Sequence, residues 1–551
     1  MTNSYDGILN NATQEYFKTI DPMNLPTLED VKRNLVEHLR DAVELENSIL
    51  PKGQKLKMPS TLPFAQIAAV MDKLYAIRNI SCAGERYNPI LAIYQSDGTN
   101  AGTYDTSENT FMSIALQLNG SLKISEFKEV MNVLRVKAER VDRTQDRDLI
   151  AVNNGIFNYK TKELMPFSPD YVFLSKSHVD YVKNAPNPVI HNDADGSDWD
   201  VESWIHEIAD DDEVAQLLWE IMGAIIRPYN AWEKTALFYS PKGENGKGTL
   251  CELMRNLCGP GSYTSVALDA FSKEFLLEPL IHVSAIINDE NNVGDFHADN
   301  AKFKAVVTND PIQVNRKFKA PITFEFHGFM VQCINSLPRM KDQTDSIYRR
   351  LLFVPFEKSF TGNAKKYIKK DYVKRQDVLE YVLCRVLNMD YYELSEPAAC
   401  QALLSEFKDF NDPIREFVLD VMPLLKWDLV PFSFLYDLYK VWMRRNSPSG
   451  SIQSSRSFVT DILSILPALP AWGCPGRSIK IRPGHMMDKP EPLILDYNLT
   501  DWMNQTYTGH DPNKRCQPTL KESYRGLRRI GAVSAAYDDD DADDGNDEPV
   551  F

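Results

Sequence analysis

Residues 236–254 read ALFYSPKGENGKGTLCELM. An apolar strand runs into a glycine-rich turn, then Lys247, then a helix. Turns of this composition let backbone N–H groups approach and cradle phosphate oxygens, and a helix starting at the turn adds a favourable dipole. Gly243, Glu244, Asn245, Gly246, Lys247, Gly248 and Thr249 are the cradle candidates, with the Lys247 ammonium reaching β- and γ-phosphates. The chemistry implied is binding of a nucleoside triphosphate with Mg2+. The spacing G-x-x-x-x-G-K-[ST] is met only in part. Pro241 takes the first glycine position, and Gly248 stands where Ser or Thr ordinarily contacts Mg2+. Thr249, one place later, is the substitute ligand. The competing reading is a Gly/Asn turn that leaves Lys247 in solvent.

Hydrolysis further needs a carboxylate near the phosphates and a group that orients water. HVSAIINDENN (282–292) offers Asp289 and Glu290 at the end of an apolar strand expected beside the loop strand. Asp289 is a candidate to hold Mg2+, directly or through water, and Glu290 to polarise the attacking water. FMVQCIN (329–335) ends in Asn335, an amide able to orient that water. DQTDSIYRRLLFVPF (342–356) places Arg349 and Arg350 before another apolar strand, and an arginine supplied to a neighbour's nucleotide stabilises transition-state charge. Each segment alone has a plainer reading: an acidic turn, an Asn before a Ser-Leu-Pro turn, an exposed basic pair. Their joint order behind a phosphate loop favours nucleotide hydrolysis. Between them, VVTNDPIQVNRKFKAPITFEF (306–326) sets Arg316, Lys317 and Lys319 around Phe318 at a hairpin tip. Bases interleaved with an aromatic suit the backbone of single-stranded DNA. Lysines guarding a sheet edge are the alternative.

The elements that must position these residues are strands alternating with helices. TALFYS (235–240), VSAIIND (283–289), HGFMVQCIN (327–335) and RLLFVPF (350–356) predict an α/β core with a mainly parallel sheet. Around it we expect a helical region over 1–85, an α+β region over 86–200 and an ATPase region over 201–365. A helical connector over 366–411, a mixed module over 412–505 and a flexible tail over 506–551 follow. SWIHEIADDDEVAQLLWEIMGAII (203–226) predicts one helix, LIAVNNGIFNYKTKELMPFSPDYVFLSK (149–176) a hairpin and loop, and KNAPNPVIHNDADGSDWD (183–200) a linker or long loop. KKYIKKDYVKR (365–375) reads as a solvated helix.

The 551 residues carry a net charge of −16, half of it in the run 538–548, which holds eight acids and no base. A nucleic-acid surface must therefore be local. The eight cysteines contain no C-x-x-C pair, which argues against zinc ribbons and for reduced thiols. No stretch is apolar enough to span a bilayer, and the start lacks a secretory pattern. The expectation is a cytoplasmic protein of a bacterial host cell, with no membrane partner.

The set NGKGT (245–249), NDENN (288–292), TNDP (308–311), NRKFKAP (315–321), INSLP (334–338) and DQTDSIYRRLLFVPF (342–356) resembles superfamily 3 helicases, a branch of the AAA+ ATPases. The resemblance is greatest to the helicase half of phage and plasmid primase–helicases, related to poxvirus-type helicase ATPases. Residues 149–176 resemble the region preceding the ATPase in that family. DPIREFVLD (412–420), FLYDLYKVWMRRN (434–446) and SFVTDIL (457–463) resemble its C-terminal winged-helix region. The resemblance implies an α/β AAA+ (P-loop) core with an N-terminal mainly helical α+β domain and a C-terminal winged-helix-like module. It implies a homo-oligomeric ring, usually a hexamer, with ATP between neighbours and Arg349 or Arg350 acting in trans. Lys317 and Lys319 would line a channel that draws single-stranded or forked DNA through, 3′ to 5′. Many relatives carry a primase. Here no zinc module stands ahead of the ATPase and residues 1–85 are too few for one, so no primer synthesis is expected.

Two readings compete: a replicative helicase of a phage, plasmid or mobile island, and an origin-binding initiator in which ATP mainly drives assembly on duplex DNA. A third is a nucleotide-binding regulator without unwinding. The tail YDDDDADDGNDEPVF (537–551) reads as a solubilising segment. Alternatively, its terminal Pro549-Val550-Phe551 resembles the acidic tip of bacterial single-stranded-DNA-binding proteins and docks a separate primase or other replication protein.

Overall fold

Strands buried on both faces of a parallel sheet read as unbroken apolar runs, and the runs within 235–356 form such a sheet. The computed structural model describes residues 4–21, 24–81, 89–273, 275–291, 295–296, 300–317, 319–340, 345–446 and 452–531. The five strands are β1 (Thr235–Tyr239), β2 (Tyr263–Thr264), β3 (Ala285–Asn288), β4 (Phe329–Ile334) and β5 (Leu351–Pro355). All pair in parallel, in the spatial order β2-β3-β4-β1-β5. Ala236, Leu237, Phe238, Ile286, Ile287, Val331 and Phe353 are fully withdrawn from solvent. Burying each large apolar side chain contributes about 1.5–3 kcal/mol relative to leaving it exposed.

Register decides what meets what. Tyr239 pairs with Ile334 of β4 and with Pro355 of β5, so the segments following β1 and β4 emerge at one edge. β3 pairs with β4 and not with β1. The strand beside the loop strand is therefore the one ending at Asn335, and the expected neighbour bearing Asp289 and Glu290 stands one strand further out.

The chain divides into two compact units, residues 1–404 and 405–551. In the first, helices Tyr5–Lys18, Leu28–Ile49 and Phe64–Leu74 share a core with Glu108–Leu118 and Ile124–Lys137, built on Leu35, Leu39, Val70, Phe111 and Val130. Ile77–Ile80 pairs with Ile90–Tyr94. The expected border at 85/86 thus falls between two paired strands of one sheet. The hairpin expected after 149 is a three-stranded meander, Leu149–Val152, Gly155–Asn158 and Glu163–Met165.

Two further expectations change. Residues 183–200 are not a linker: Ile190–Asn192 pairs with Ser197–Trp199, and Trp199 is buried in the main core. The helix expected over 203–226 is two, Val201–Ala209 and Asp212–Ala224. Asp210 caps the first in the left-handed region (φ 58°), and the Asp211 side chain accepts from Val214 N to start the second. Asp is suited to both tasks, one tolerating positive φ and one capping orphan N–H groups.

In the second unit, strands Leu429–Pro431, Gly526–Arg529 and Trp472–Gly473 form a sheet with Gly526–Arg529 at its centre. Helices Pro413–Val421, Phe432–Asn446 and Ser455–Ile465 pack around Phe417, Trp427, Trp442 and Phe458. The expectation of a flexible tail from 506 is corrected: the described residues 506–531 include the central strand of this sheet. Leu527 in the central strand is fully buried, and the acidic run lies outside the described residues.

Candidate functional site

Ligands of open α/β sheets sit beyond the carboxyl ends of the strands. There the turn 241–246 links β1 to the helix Lys247–Cys258. Gly246 caps that helix with φ 87°, and a Cβ on it would lie 2.9 Å from Ile208 Cγ2. Both the handedness and the close approach require glycine. Asn245 pins the turn: its Nδ2 donates to Lys242 O at 2.6 Å, and its Oδ1 accepts from Lys247 N at 3.3 Å. Phe360 N donates to Glu244 O at 2.7 Å, holding the loop from the segment after β5.

Lys247 is 5% exposed, not the solvent lysine of the competing reading. Its Nζ donates to Ser240 O at 3.2 Å, Asn335 Oδ1 at 3.2 Å and Ile334 O at 3.4 Å. An ammonium has three donors, and here three neutral oxygens take them. Burial pulls its pKa below the usual lysine value. Beneath it, Cys251 and Cys333 are free thiols with sulfurs 3.4 Å apart. The hydrogen bond with Cys251, together with burial, holds the Cys333 thiol well above its usual pKa, so it is neutral.

Asp289 is gripped at two points by Arg255, with Nη2 to Oδ1 at 2.9 Å and Nη1 to Oδ2 at 3.2 Å. Burial pushes its carboxyl up, but the Arg255 hydrogen bonds and charge outweigh that and leave it below the usual range. Glu290 is exposed, and its carboxylate has no hydrogen-bond or ion-pair partner among the described residues. Mg2+ keeps waters and substrate phosphates as ligands and asks for only one or two protein oxygens. Thr249, whose hydroxyl is likewise unpartnered among the described residues, fits that demand. Asp289, already committed to Arg255, fits it only at one remove.

The structure therefore brings Lys247 and Asn335 into contact. It does not bring Arg349 or Arg350 to them. Both precede β5, at the amino-terminal edge of the sheet, opposite the loop. Arg349 is exposed. Arg350 is buried, with Nη1 donating to Ser346 Oγ at 2.8 Å and to the Ser346 carbonyl.

The expected hairpin is present as Ile312–Arg316 against Lys319–Phe324. The Arg316 guanidinium folds back on it, with Nη2 at 2.8 Å and Nε at 3.0 Å from Ala320 O. Lys317 is exposed at the tip, and Phe318 lies outside the described residues.

Residues 98–210 match a family model described as D5 N terminal like. Residues 238–350 match a family of unknown function, DUF5906, and residues 410–473 a Poxvirus D5 protein-like family. The two D5-type matches flank the loop-bearing segment. No curated protein matches the chain. Solved apo structures of the NrS-1 C terminal region are similar at low identity. One is 12% identical, with 84% of this chain and 99% of that chain covered and a TM-score of 0.42; another is 13% identical, with 69% and 93% covered and a TM-score of 0.42.

Sequence reading missed one wall of the site. Glu244, Asn245, Gly246, Gly248 and Thr249 line a cavity of about 650 Å³ that is also lined by Phe360, Lys365, Lys366, Lys369 and Lys370. The short helix Lys366–Lys370 thus borders the phosphate loop, with its lysines exposed as the solvated reading expects. The available signal was four lysines placed just after the last sheet strand.

Proposed function

We propose that the chain is an ATP hydrolase that powers a ring-forming DNA helicase of the superfamily 3 type, in replication of a phage, plasmid or mobile genetic island. The observation that carries this reading is the buried Lys247 ammonium, held by Ser240, Ile334 and Asn335 beneath a glycine-rich turn at the carboxyl edge of a parallel sheet. Kinship to D5-like proteins supports a role in DNA replication.

In this reading the turn 243–249 donates N–H groups to the phosphates, and Lys247 exchanges a neutral oxygen for a phosphate oxygen. Mg2+, carried on the phosphates and held by Thr249, would neutralise their charge. Glu290 accepts a proton from the attacking water, and Asn335 orients it. Arg349, exposed on the far edge of the sheet, serves the nucleotide of the next copy in the ring; Arg350, tied to Ser346, supports the strand instead. Lys317 and Lys319 contact the DNA strand, with 3′ to 5′ movement as the resemblance implies. No described helix is long and apolar enough to cross a membrane.

An initiator reading is favoured by one surface of the second unit. The helix Ser455–Ile465 exposes Ser455, Arg456, Ser457 and Thr460, and Arg477 donates to Arg456 O at 2.9 Å. Lys480 and Arg482 are exposed as well, and in this reading a winged-helix-like module would set such bases against duplex DNA.

The deciding experiment is ATP turnover by the parent, Glu290→Gln and Lys247→Ala, with and without single-stranded DNA. DNA-stimulated turnover lowered by about 100-fold or more in Glu290→Gln supports the motor, since general-base removal has that size of effect. Nucleotide binding without turnover in the parent would favour the initiator.

A further inference from the structure

We propose that Lys369 is a second phosphate-contacting cation of this pocket, occupying the space Gly248 leaves where a hydroxyl-bearing residue would ordinarily stand. The inference rests on the nucleotide reading above and names a binding residue that neither the loop motif nor the family matches assign.

The geometry begins at Gly248. A Cβ built there would lie 3.3 Å from Lys369 Nζ, closer than an ordinary contact. With only hydrogen at 248, the ammonium can rest against the backbone of the first helical turn. That turn is where N–H groups lack intrahelical partners and where an anion is favoured. A phosphate oxygen taken by those N–H groups is within reach of Lys369 as well.

The charge on Lys369 is uncommitted. Among the described residues its ammonium has no hydrogen bond or ion pair, whereas nearby Lys365 donates to Ser197 Oγ at 3.1 Å and Lys374 pairs with Glu252 at 3.0 Å. Its backbone is nonetheless anchored, while the side chain itself is exposed. The adjoining Ile368 is buried in the main core, and Tyr367 Oη donates to Asp195 Oδ2 at 2.7 Å. An unpaired cation beside the start of the helix, where Lys247 N is held by Asn245 and Thr249 N by Gly246 O but Gly248 N has no acceptor among the described residues, suits a nucleoside di- or triphosphate, not an uncharged ligand.

Gly248 and Lys369 then act as one unit. A hydroxymethyl group at 248 pushes the ammonium away, and the same hydroxyl partly replaces it when Lys369 is removed.

The test is equilibrium binding of ATP, ADP and AMP to the full chain by calorimetry. Lys369→Ala is expected to weaken ATP binding about tenfold to a hundredfold, the range for a lost hydrogen bond to a charged group. ADP should be weakened too, AMP little affected, and Lys369→Arg should retain most of the affinity. Gly248→Ser should weaken ATP binding alone yet improve it in the Lys369→Ala background, a non-additivity that unconnected residues do not produce. Lys52→Ala, on an exposed loop, sets the baseline. ATP binding unchanged in Lys369→Ala but lost in Lys247→Ala would overturn the proposal and leave the site standing. Equal losses for AMP and ATP would overturn it as well. A parent that binds no nucleotide would overturn the site reading and this inference with it.

Discussion

Lys247 and Arg227 are both cations withdrawn from solvent, 5% and 0% exposed, and neither has a carboxylate partner among the described residues. Their surroundings differ. Lys247 is met by three neutral oxygens, and its neighbours Gly246 and Gly248 open onto the cavity. Arg227 is enclosed by rings: its Cζ lies 3.6 Å from the Tyr159 centroid, 4.8 Å from Tyr391, 5.2 Å from Trp232 and 5.3 Å from Tyr392. One hydrogen bond, Nη1 to Tyr391 O at 3.0 Å, completes it, and Nε and Nη2 have no acceptor. Oxygens can be exchanged for a phosphate; ring faces cannot. In the proposed reading a buried charge at an open edge meets a ligand, whereas a buried charge inside an aromatic cage joins distant parts of the chain. Here the meander, the entry to β1 and the segment after the helix Gln376–Leu387 meet at one guanidinium.

The largest expected effect breaks the cage. Arg227→Ala leaves a cavity among four rings and should lower stability by about 3–5 kcal/mol, read as a fall in the denaturation midpoint. Arg227→Met fills the volume without the charge. A loss of about 2 kcal/mol there measures cation–ring attraction on desolvated faces. Stability equal to the parent would show that the cage asks for volume alone, and the comparison with Lys247 would fail. Lys162 bears on the same region, with Nζ 3.6 Å from the Tyr159 centroid and donating to Leu387 O and Met389 O, but it is less buried and serves as an internal check.

The two cations were not equally legible. Lys247 is announced by local spacing, a glycine before it and an apolar strand upstream. Asn335 is announced by a strand ending in Asn before a proline turn. Arg227 reads only as a charged residue after an apolar helix, since apart from Trp232 its ring partners Tyr159, Tyr391 and Tyr392 are remote in sequence and no periodicity links them. The same cause hid the lysines at 365–370, which border the loop only because β5 lies beside β1. It hid the strand Gly526–Arg529, whose pairing partners lie near 430 and 472. The break at Asp210 is different in kind. Its cap chemistry was local and readable in ADDD, and the apolar period across it simply outweighed it. Non-local pairing also misplaced the carboxylates, because strand order cannot be read from strand sequence.

A smaller effect sharpens the Lys247 side. Gly246→Ala forces a Cβ into φ 87° and against Ile208. The backbone strain alone is about 1–3 kcal/mol. It should appear as weakened nucleotide binding together with a modest loss of thermal stability. Trimming the neighbour in Gly246→Ala/Ile208→Val should restore part of both, because the contact falls on Ile208 and the helix Val201–Ala209 sets the loop's height. No recovery would mean that handedness, not the close approach, dominates.

The smallest effect separates the cations by titration. Arginine side chains stay charged throughout the accessible range, so the titration is read at the lysine. Burial lowers the Lys247 pKa in the folded chain below the usual 10.5. Between the lowered value and 10.5 the unfolded chain binds more protons at this site than the folded one, so its contribution to stability rises with pH through that window. Phosphate binding moves the other way, weakening as the ammonium loses its proton. Thermal midpoints of the parent and Lys247→Met, compared from pH 8 upward, should converge as pH rises, while ATP affinity of the parent falls over the same range. Lys247→Arg cannot titrate there and should hold its ATP affinity flat, at whatever level its bulkier head permits. A parent whose ATP affinity is likewise flat would show that the Lys247 charge is not what the phosphates meet, and the distinction between the two buried cations would then rest on stability alone.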